Sequence, residues 1–263
     1  MIRSDDRFED RVALVTGAGR GLGLGIARSL AEAGFKVAVT DCAGESAERA
    51  ASELRALGCD ACSIRLDVAD STAWSETVAA VENRWGRLDV LVNNAGISPR
   101  GTAESTDEAL WDAVMAINVK GAWLGIKSAL PLLKIAHGYI INIGSNLSTR
   151  PARGMCAYCS SKAALLGLTR QVALDLLDDD VRCMLIAPGW VDTPGERDIQ
   201  ARAGRPDWPS GLRNITTPDQ VGDAVLFLLS HAGRRLNGSI LYLDSGQHIV
   251  DDVKRIYNLN EEF

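Results

Sequence analysis

Short apolar runs alternate with longer amphipathic stretches from one end of the chain to the other. The runs Arg11–Thr16, Lys36–Asp41, Ala61–Leu66, Leu88–Asn93, Gly138–Ile143, Val181–Ala187 and Ser239–Asp244 are dominated by Val, Ile, Leu and Ala, and most lack strict polar alternation. Continuous apolar runs of this length predict strands covered on both faces, as in parallel sheets. Between them, Ile26–Glu32, Glu45–Leu57, Ser71–Arg84, Glu108–Leu133, Ala157–Leu177 and Pro218–Ser230 read as helices. The alternation predicts an α/β protein: a single Rossmann-like, doubly wound parallel sheet of about seven strands with helices on both faces.

No repeat, low-complexity tract or Pro/Ser-rich linker divides the chain, so residues 1–263 read as one domain. A polar segment over 1–10 precedes it and a tail over 247–263 ends it. The least regular stretch is 188–217, where Pro188, Gly189, Pro194, Gly195, Gly204, Pro206, Pro209 and Gly211 interrupt any long element. It follows the sixth predicted strand, at the carboxyl edge where α/β folds bind ligands, and so predicts a substrate-covering lid. Within it, Glu196–Ala203 is compatible with a short helix.

Composition narrows the field. A chain of 263 residues with 46% hydrophobic content can bury a large core. The net charge is −6 and the 28 Lys and Arg residues are scattered, which disfavours nucleic acid and membrane surfaces as partners. No apolar run approaches the roughly 18 residues that would span a bilayer. The charged first ten residues carry no apolar signal core, so a cytoplasmic location is expected. The six cysteines include the pairs Cys59/Cys62 and Cys156/Cys159. These pairs lie much farther apart than the roughly 12–20 residues of a zinc site, so no metal is expected and the thiols read as reduced and mostly buried.

The chemistry-bearing residues cluster at the ends of the predicted strands. Gly17, Gly21 and Gly23, with Arg20 and Leu22 between them, join the first strand to a helix N-terminus, a geometry that suits a pyrophosphate. Asp41 ends the second strand, where a carboxylate can hold adenosine ribose hydroxyls. Asp67 and Val68 follow the third strand, and Asn94, Ala95 and Gly96 the fourth. Tyr158 and Lys162 stand four residues apart, so both project from one face of a helix. An ammonium beside a phenol lowers its pKa and makes it a usable proton carrier. A secondary alcohol that loses hydride needs such a base at its hydroxyl.

Taken in order, Thr16-Gly-x-x-x-Gly-x-Gly23, Asp67-Val68, Asn93-Asn-Ala-Gly96, Asn118, Ser145, Tyr158-x-x-x-Lys162 and Pro188-Gly-x-x-x-Thr193 resemble the short-chain dehydrogenase/reductase family from about Arg11 to Gly246. The resemblance implies a nicotinamide-dependent oxidoreductase with Asn118, Ser145, Tyr158 and Lys162 as its catalytic residues. Tyr158 would exchange the proton, Ser145 would orient the substrate oxygen, and Lys162 would grip the nicotinamide ribose and keep the Tyr158 pKa low. Asn118, in a kinked helix, would hold a water that relays protons from Lys162. Gly17, Gly21 and Gly23 would admit the pyrophosphate, Asp67 and Val68 the adenine, and Asn94, Ala95 and Gly96 would line the adenosine and ribose channel. Pro188, Gly189, Val191 and Thr193 would receive the carboxamide. A homotetramer is implied as well.

Asp41 selects NAD over NADP, because a carboxylate repels the 2′-phosphate. Arg20 argues in the other direction, yet it can also pair with Asp41 or face solvent. For the small-molecule alcohol or ketone substrate, Ser98, Asn146, Arg153, Trp190, Glu196 and Arg197 stand near the expected site, with Met155, Arg205 and Trp208 as further candidates. Their polar mixture suits a sugar or polyol; an alicyclic or 3-oxoacyl ketone is the alternative, and a non-catalytic NAD-binding sensor a more distant one. Asp244-Ser245-Gly246 stands where the family usually has Asp-Gly-Gly, a change that fits if the φ of Ser245 is negative.

Overall fold

A computed structural model describes residues 8–210 and 213–249. Its strands are β1 (Val12–Val15), β2 (Lys36–Asp41), β3 (Ala61–Arg65), β4 (Val90–Asn93), β5 (Tyr139–Ile143), β6 (Arg182–Pro188) and β7 (Ile240–Leu243). They form one seven-stranded sheet in the order β3-β2-β1-β4-β5-β6-β7. Every neighbouring pair is parallel. The order reverses between β1 and β4, which opens a crevice at the carboxyl ends of the strands.

The lack of alternation in the strands has its cause in the two layers that cover them. In β1, Ala13 and Val15 join a core with α1 (Gly21–Glu32), α2 (Gly44–Ala56) and α8 (Pro218–Leu229). Val12 and Leu14 face the other way, into a core with α3 (Ser71–Trp85), α5 (Gly121–Ala136) and α6 (Cys156–Asp175). Both sets must be apolar, so a period-2 pattern cannot appear. Trp74 of α3 is fully buried in the second layer and donates its indole N–H to the Val68 carbonyl at 2.9 Å.

Three expectations need correction. Glu108–Leu133 is not one helix: α4 (Glu108–Met115) passes through a π-helical turn, Ala116–Lys120, before α5 begins. Ser245 has φ +53°, not a negative value. Asp244 holds the turn around it, accepting from the Gly246 N–H at 3.1 Å and the His248 N–H at 2.8 Å. All six cysteines are free thiols, but only Cys183 is fully buried; Cys42 is exposed and the other four are half-buried. Among the described residues, no helix is long and apolar enough to cross a membrane. The tail beyond 249, including Tyr257 and Phe263, lies outside the described residues, as do 1–7 and, within the predicted lid, 211 and 212.

Candidate active site

A cleft of about 860 Å³ opens along the carboxyl ends of the strands. Its floor at one end is the turn between β1 and α1. Gly17 and Gly21 take φ +60° and +59°, the left-handed region that favours glycine. A Cβ at Gly23 would collide with the Gly17 carbonyl. Arg20, the residue before α1, offers that helix no side-chain cap. Its first-turn N–H groups are therefore left to whatever anion enters the cleft.

The turn is braced from β4. Thr16 Oγ1 accepts from the backbone N–H groups of Asn94 at 2.9 Å and Ala95 at 3.0 Å. The Asn94 amide donates to the carbonyls of Thr16 at 2.8 Å and Gly17 at 3.1 Å. Asn94 thus lines the cleft while its side chain is spent on holding the turn. Asp41 stands at the mouth, fixed by backbone donors: Gly19 N–H at 3.1 Å and Ala43 N–H at 3.0 Å. A Cβ at Gly19 would come within 2.8 Å of that carboxylate, so the position needs glycine. Gly19 is not singled out by the sequence, because its demand arises from Asp41, 22 residues on, and from Ser46, whose Cβ a side chain at position 19 would also meet at 2.8 Å. Arg20 is exposed at the rim.

At the other end, β5 and α6 bring the reacting groups together. Ser145, just past β5, and Tyr158 and Lys162, on the first turns of α6, all line the cleft. Burial pushes the Tyr158 phenol up to about 12, against a hydrogen bond with Ser145 that holds it down. Burial likewise pushes Lys162 down to about 8. The expected depression of the phenol by Lys162 is absent from this arrangement. The ammonium donates to the Ile143 carbonyl at 2.8 Å and lies 5.7 Å from the Tyr158 ring centroid, so desolvation outweighs charge.

Asn118 does not line the cleft; it sits in the π turn behind it. Its Oδ1 accepts from the Ile97 N–H at 2.9 Å, and its Nδ2 donates to the Ile97 carbonyl and to Ser161 Oγ, each at 2.9 Å. The side chain therefore ties α4–α5 to α6 and to the segment that follows β4 at Ile97. Most of its capacity to hold a water is already used.

The remaining expected cofactor residues, from Leu22, Asp67 and Val68 through Ala95 and Gly96 to Pro188, Gly189, Val191 and Thr193, all line the cleft. Ser98, Asn146, Met155, Trp190 and Glu196 line it too. Arg153 and Arg197 do not. Arg153 is exposed to solvent. Arg197 closes on Asp192 with two hydrogen bonds of 2.6 and 2.7 Å, which lower the Asp192 carboxyl and direct the guanidinium away from the cleft. Arg205 and Trp208 act from behind: Arg205 donates to Gln200 Oε1 at 2.6 Å, and Trp208 packs edge-to-face on Trp190 with ring centroids 6.2 Å apart. The predicted short helix is present as α7 (Pro194–Arg202), capped by Thr193. Gln247, absent from the sequence reading, also lines the cleft.

A family profile described as enoyl-(acyl carrier protein) reductase matches residues 17–248. The 2,5-dichloro-2,5-cyclohexadiene-1,4-diol dehydrogenase LinX of Sphingobium indicum is 36% identical over 245 residues, covering 92% of this chain and 97% of the relative. The trans-4-hydroxycyclohexanecarboxylate dehydrogenase of Sinomonas cyclohexanicum is 36% identical over 261 residues, covering 97% and 99%. The crystal structure of levodione reductase superposes with a TM-score of 0.84 at 29% identity, covering 92% of this chain and 99% of that one.

Proposed function

The chain belongs to the short-chain dehydrogenase/reductase family, and on that premise we propose that it is an NAD-dependent dehydrogenase of a secondary alcohol carried on a ring. The observation that carries this reading is the convergence of Ser145, Tyr158 and Lys162 on one cleft whose far end is a glycine cradle with an uncapped helix N-terminus. That cradle fits a dinucleotide. The backbone of Gly17, Gly21 and Gly23 would hold the pyrophosphate, Asp41 the adenosine ribose, Asp67 and Val68 the adenine, and Pro188, Gly189, Val191 and Thr193 the carboxamide. A nicotinamide ring bound there supplies a hydride acceptor.

This chain's own part is to hold the alcohol and remove its proton. Ser145 would orient the reacting oxygen and Tyr158 would take the hydroxyl proton. A phenol at about 12 is almost wholly neutral at pH 7, so Tyr158 needs help. A positive charge about 4 Å away, at an effective dielectric near 20, supplies about 4 kcal/mol. That equals roughly three pKa units, and Lys162 would provide it by turning from the Ile143 carbonyl, where it now stands 5.7 Å from the ring centroid, toward the phenol. Asn118 would set the α6 register through Ser161, supporting both side chains.

Names of relatives that act on cyclohexane-type rings support the ring alcohol over the sugar or polyol first expected. The polar wall of Asn146 and Glu196 keeps a polyol as the second reading. For NAD over NADP, the support is the Asp41 carboxylate held at the mouth by two backbone donors. A homotetramer remains part of the proposal, on family resemblance. Cyclohexanol, the cyclohexanediols, aldoses and acyclic polyols assayed with NAD and with NADP would test all but the last. Ring alcohols with NAD should turn over fastest, and Asp41→Ala should narrow the NAD preference roughly 10- to 100-fold. A sugar oxidised faster than any ring alcohol would replace the first reading by the second, and a wild-type preference for NADP would overturn the role of Asp41.

A further inference from the structure

We propose that Gln247, set by Asn146, forms a subsite for a second oxygen of the substrate: a hydroxyl borne elsewhere on the ring that carries the reacting alcohol. The inference rests on the ring-alcohol reading above. Both residues line the cleft beside Ser145. Asn146 accepts from Ser145 Oγ at 3.3 Å through its Oδ1, and its Nδ2 donates to Gln247 Oε1 at 2.7 Å. Two hydrogen bonds thus run from the hydroxyl at the reacting oxygen to the Gln247 amide. They leave Gln247 with its Nε2 as the spare donor. Among the described residues that Nε2 has no partner, on a residue only 5% exposed. A buried donor without an acceptor is costly and uncommon, and a substrate oxygen entering the cleft would supply the acceptor.

The backbone that carries Gln247 is pinned from both sides. Arg150 donates to the Gln247 carbonyl. Asp244 accepts from the N–H groups of Gly246 at 3.1 Å and His248 at 2.8 Å. The His248 ring stacks on Tyr242 with centroids 3.6 Å apart, and the Tyr242 hydroxyl shares a hydrogen bond of 2.8 Å with Thr149. The amide is therefore held in place before substrate arrives, as a selective contact requires. Glu196 lines the same cleft and acts electrostatically on Tyr158. A hydroxyl, which can accept from an amide and donate to a carboxylate, suits this wall better than a second carboxylate.

The test is kcat/KM with saturating NAD for cyclohexanol, the 1,2-, 1,3- and 1,4-cyclohexanediols and 4-hydroxycyclohexanecarboxylate, in the wild type and in Gln247→Leu. At least one diol should exceed cyclohexanol by about tenfold in the wild type, and the variant should lose about tenfold of that ratio, chiefly through KM. NAD affinity by calorimetry reports whether the variant is folded; if it is not, the wild-type series alone decides. Diols no better than cyclohexanol, a ratio unchanged in a folded variant, or the carboxylate preferred over every diol would each overturn the subsite. Oxidation of no ring alcohol at all would sink the parent reading and take the subsite with it.

Discussion

Tyr158 and Lys162 titrate as a pair, and the direction of each shift sets the pH dependence. At low pH the pair holds two protons, on a phenol pushed up to about 12 and an ammonium pushed down to about 8. Either site can release the first proton, so the apparent pKa of that step lies at or below about 8. The form active in oxidation, phenolate beside ammonium, has lost one proton. Oxidation should therefore rise with pH to a plateau reached through that step, while ketone reduction, which needs the phenol and the ammonium both protonated, should fall over the same range. Lys162→Met removes the easier route and leaves the phenol near 12, so the rise in kcat should move up by several units. A midpoint that stays in place would show that Lys162 does not tune the base. This pair was legible because i and i+4 on a helix is a local relation. Gly19 and Gln247 were not, since each acquires its meaning from a residue far away in the chain: Asp41 and Asn146.

At the scale of elements, apolar runs marked every strand to within about two residues, because burial on both faces leaves an unbroken signal. The break in the predicted helix over 108–133 left no such mark. A π turn adds one residue to the helical repeat without changing composition, so Ala116–Lys120 emerges only from the hydrogen bonds. The turn after β7 shows the opposite case, a sequence departure with a backbone cost. Ser245 at φ +53° forgoes the glycine usual in this family, and a left-handed residue with a Cβ costs about 1–2 kcal/mol. Ser245→Gly relieves that strain but adds unfolded-state entropy worth about 0.4–1 kcal/mol. The variant should gain about 0.5–1 kcal/mol and raise Tm by about 1–4 °C in a chain of this size. A lowered Tm would mean that Ser245 is held by contacts worth more than its strain.

For the whole molecule, one reversal of strand order decides where the chemistry sits. The crevice between β1 and β4 receives the glycine turn from one side, and β5, α6 and the turn after β7 wall it from the other. Residues from Gly17 to Gln247 thereby meet in one cleft, which a linear motif can announce only in pieces. The outer faces carry a different message. Trp111 on α4 and Trp123 and Ile135 on α5 expose 37%, 44% and 80% of their surface, although α5 packs its other side into the core. Indoles exposed on neighbouring helices are common where two chains meet, and aromatic residues carry much of the energy of such contacts. Trp123 carries the Lys127 ammonium over its ring, at 5.2 Å. The proposed homotetramer should therefore bury these helices, and the wild type should sediment at four times the mass of one chain. Trp123→Glu places a charge where an indole would be covered and should shift sedimentation toward smaller species, while NAD binding persists because the cleft lies on the sheet edge, away from that side chain. A wild type that sediments as a single chain at micromolar concentration would refute the assembly and leave the two tryptophans as ordinary surface residues.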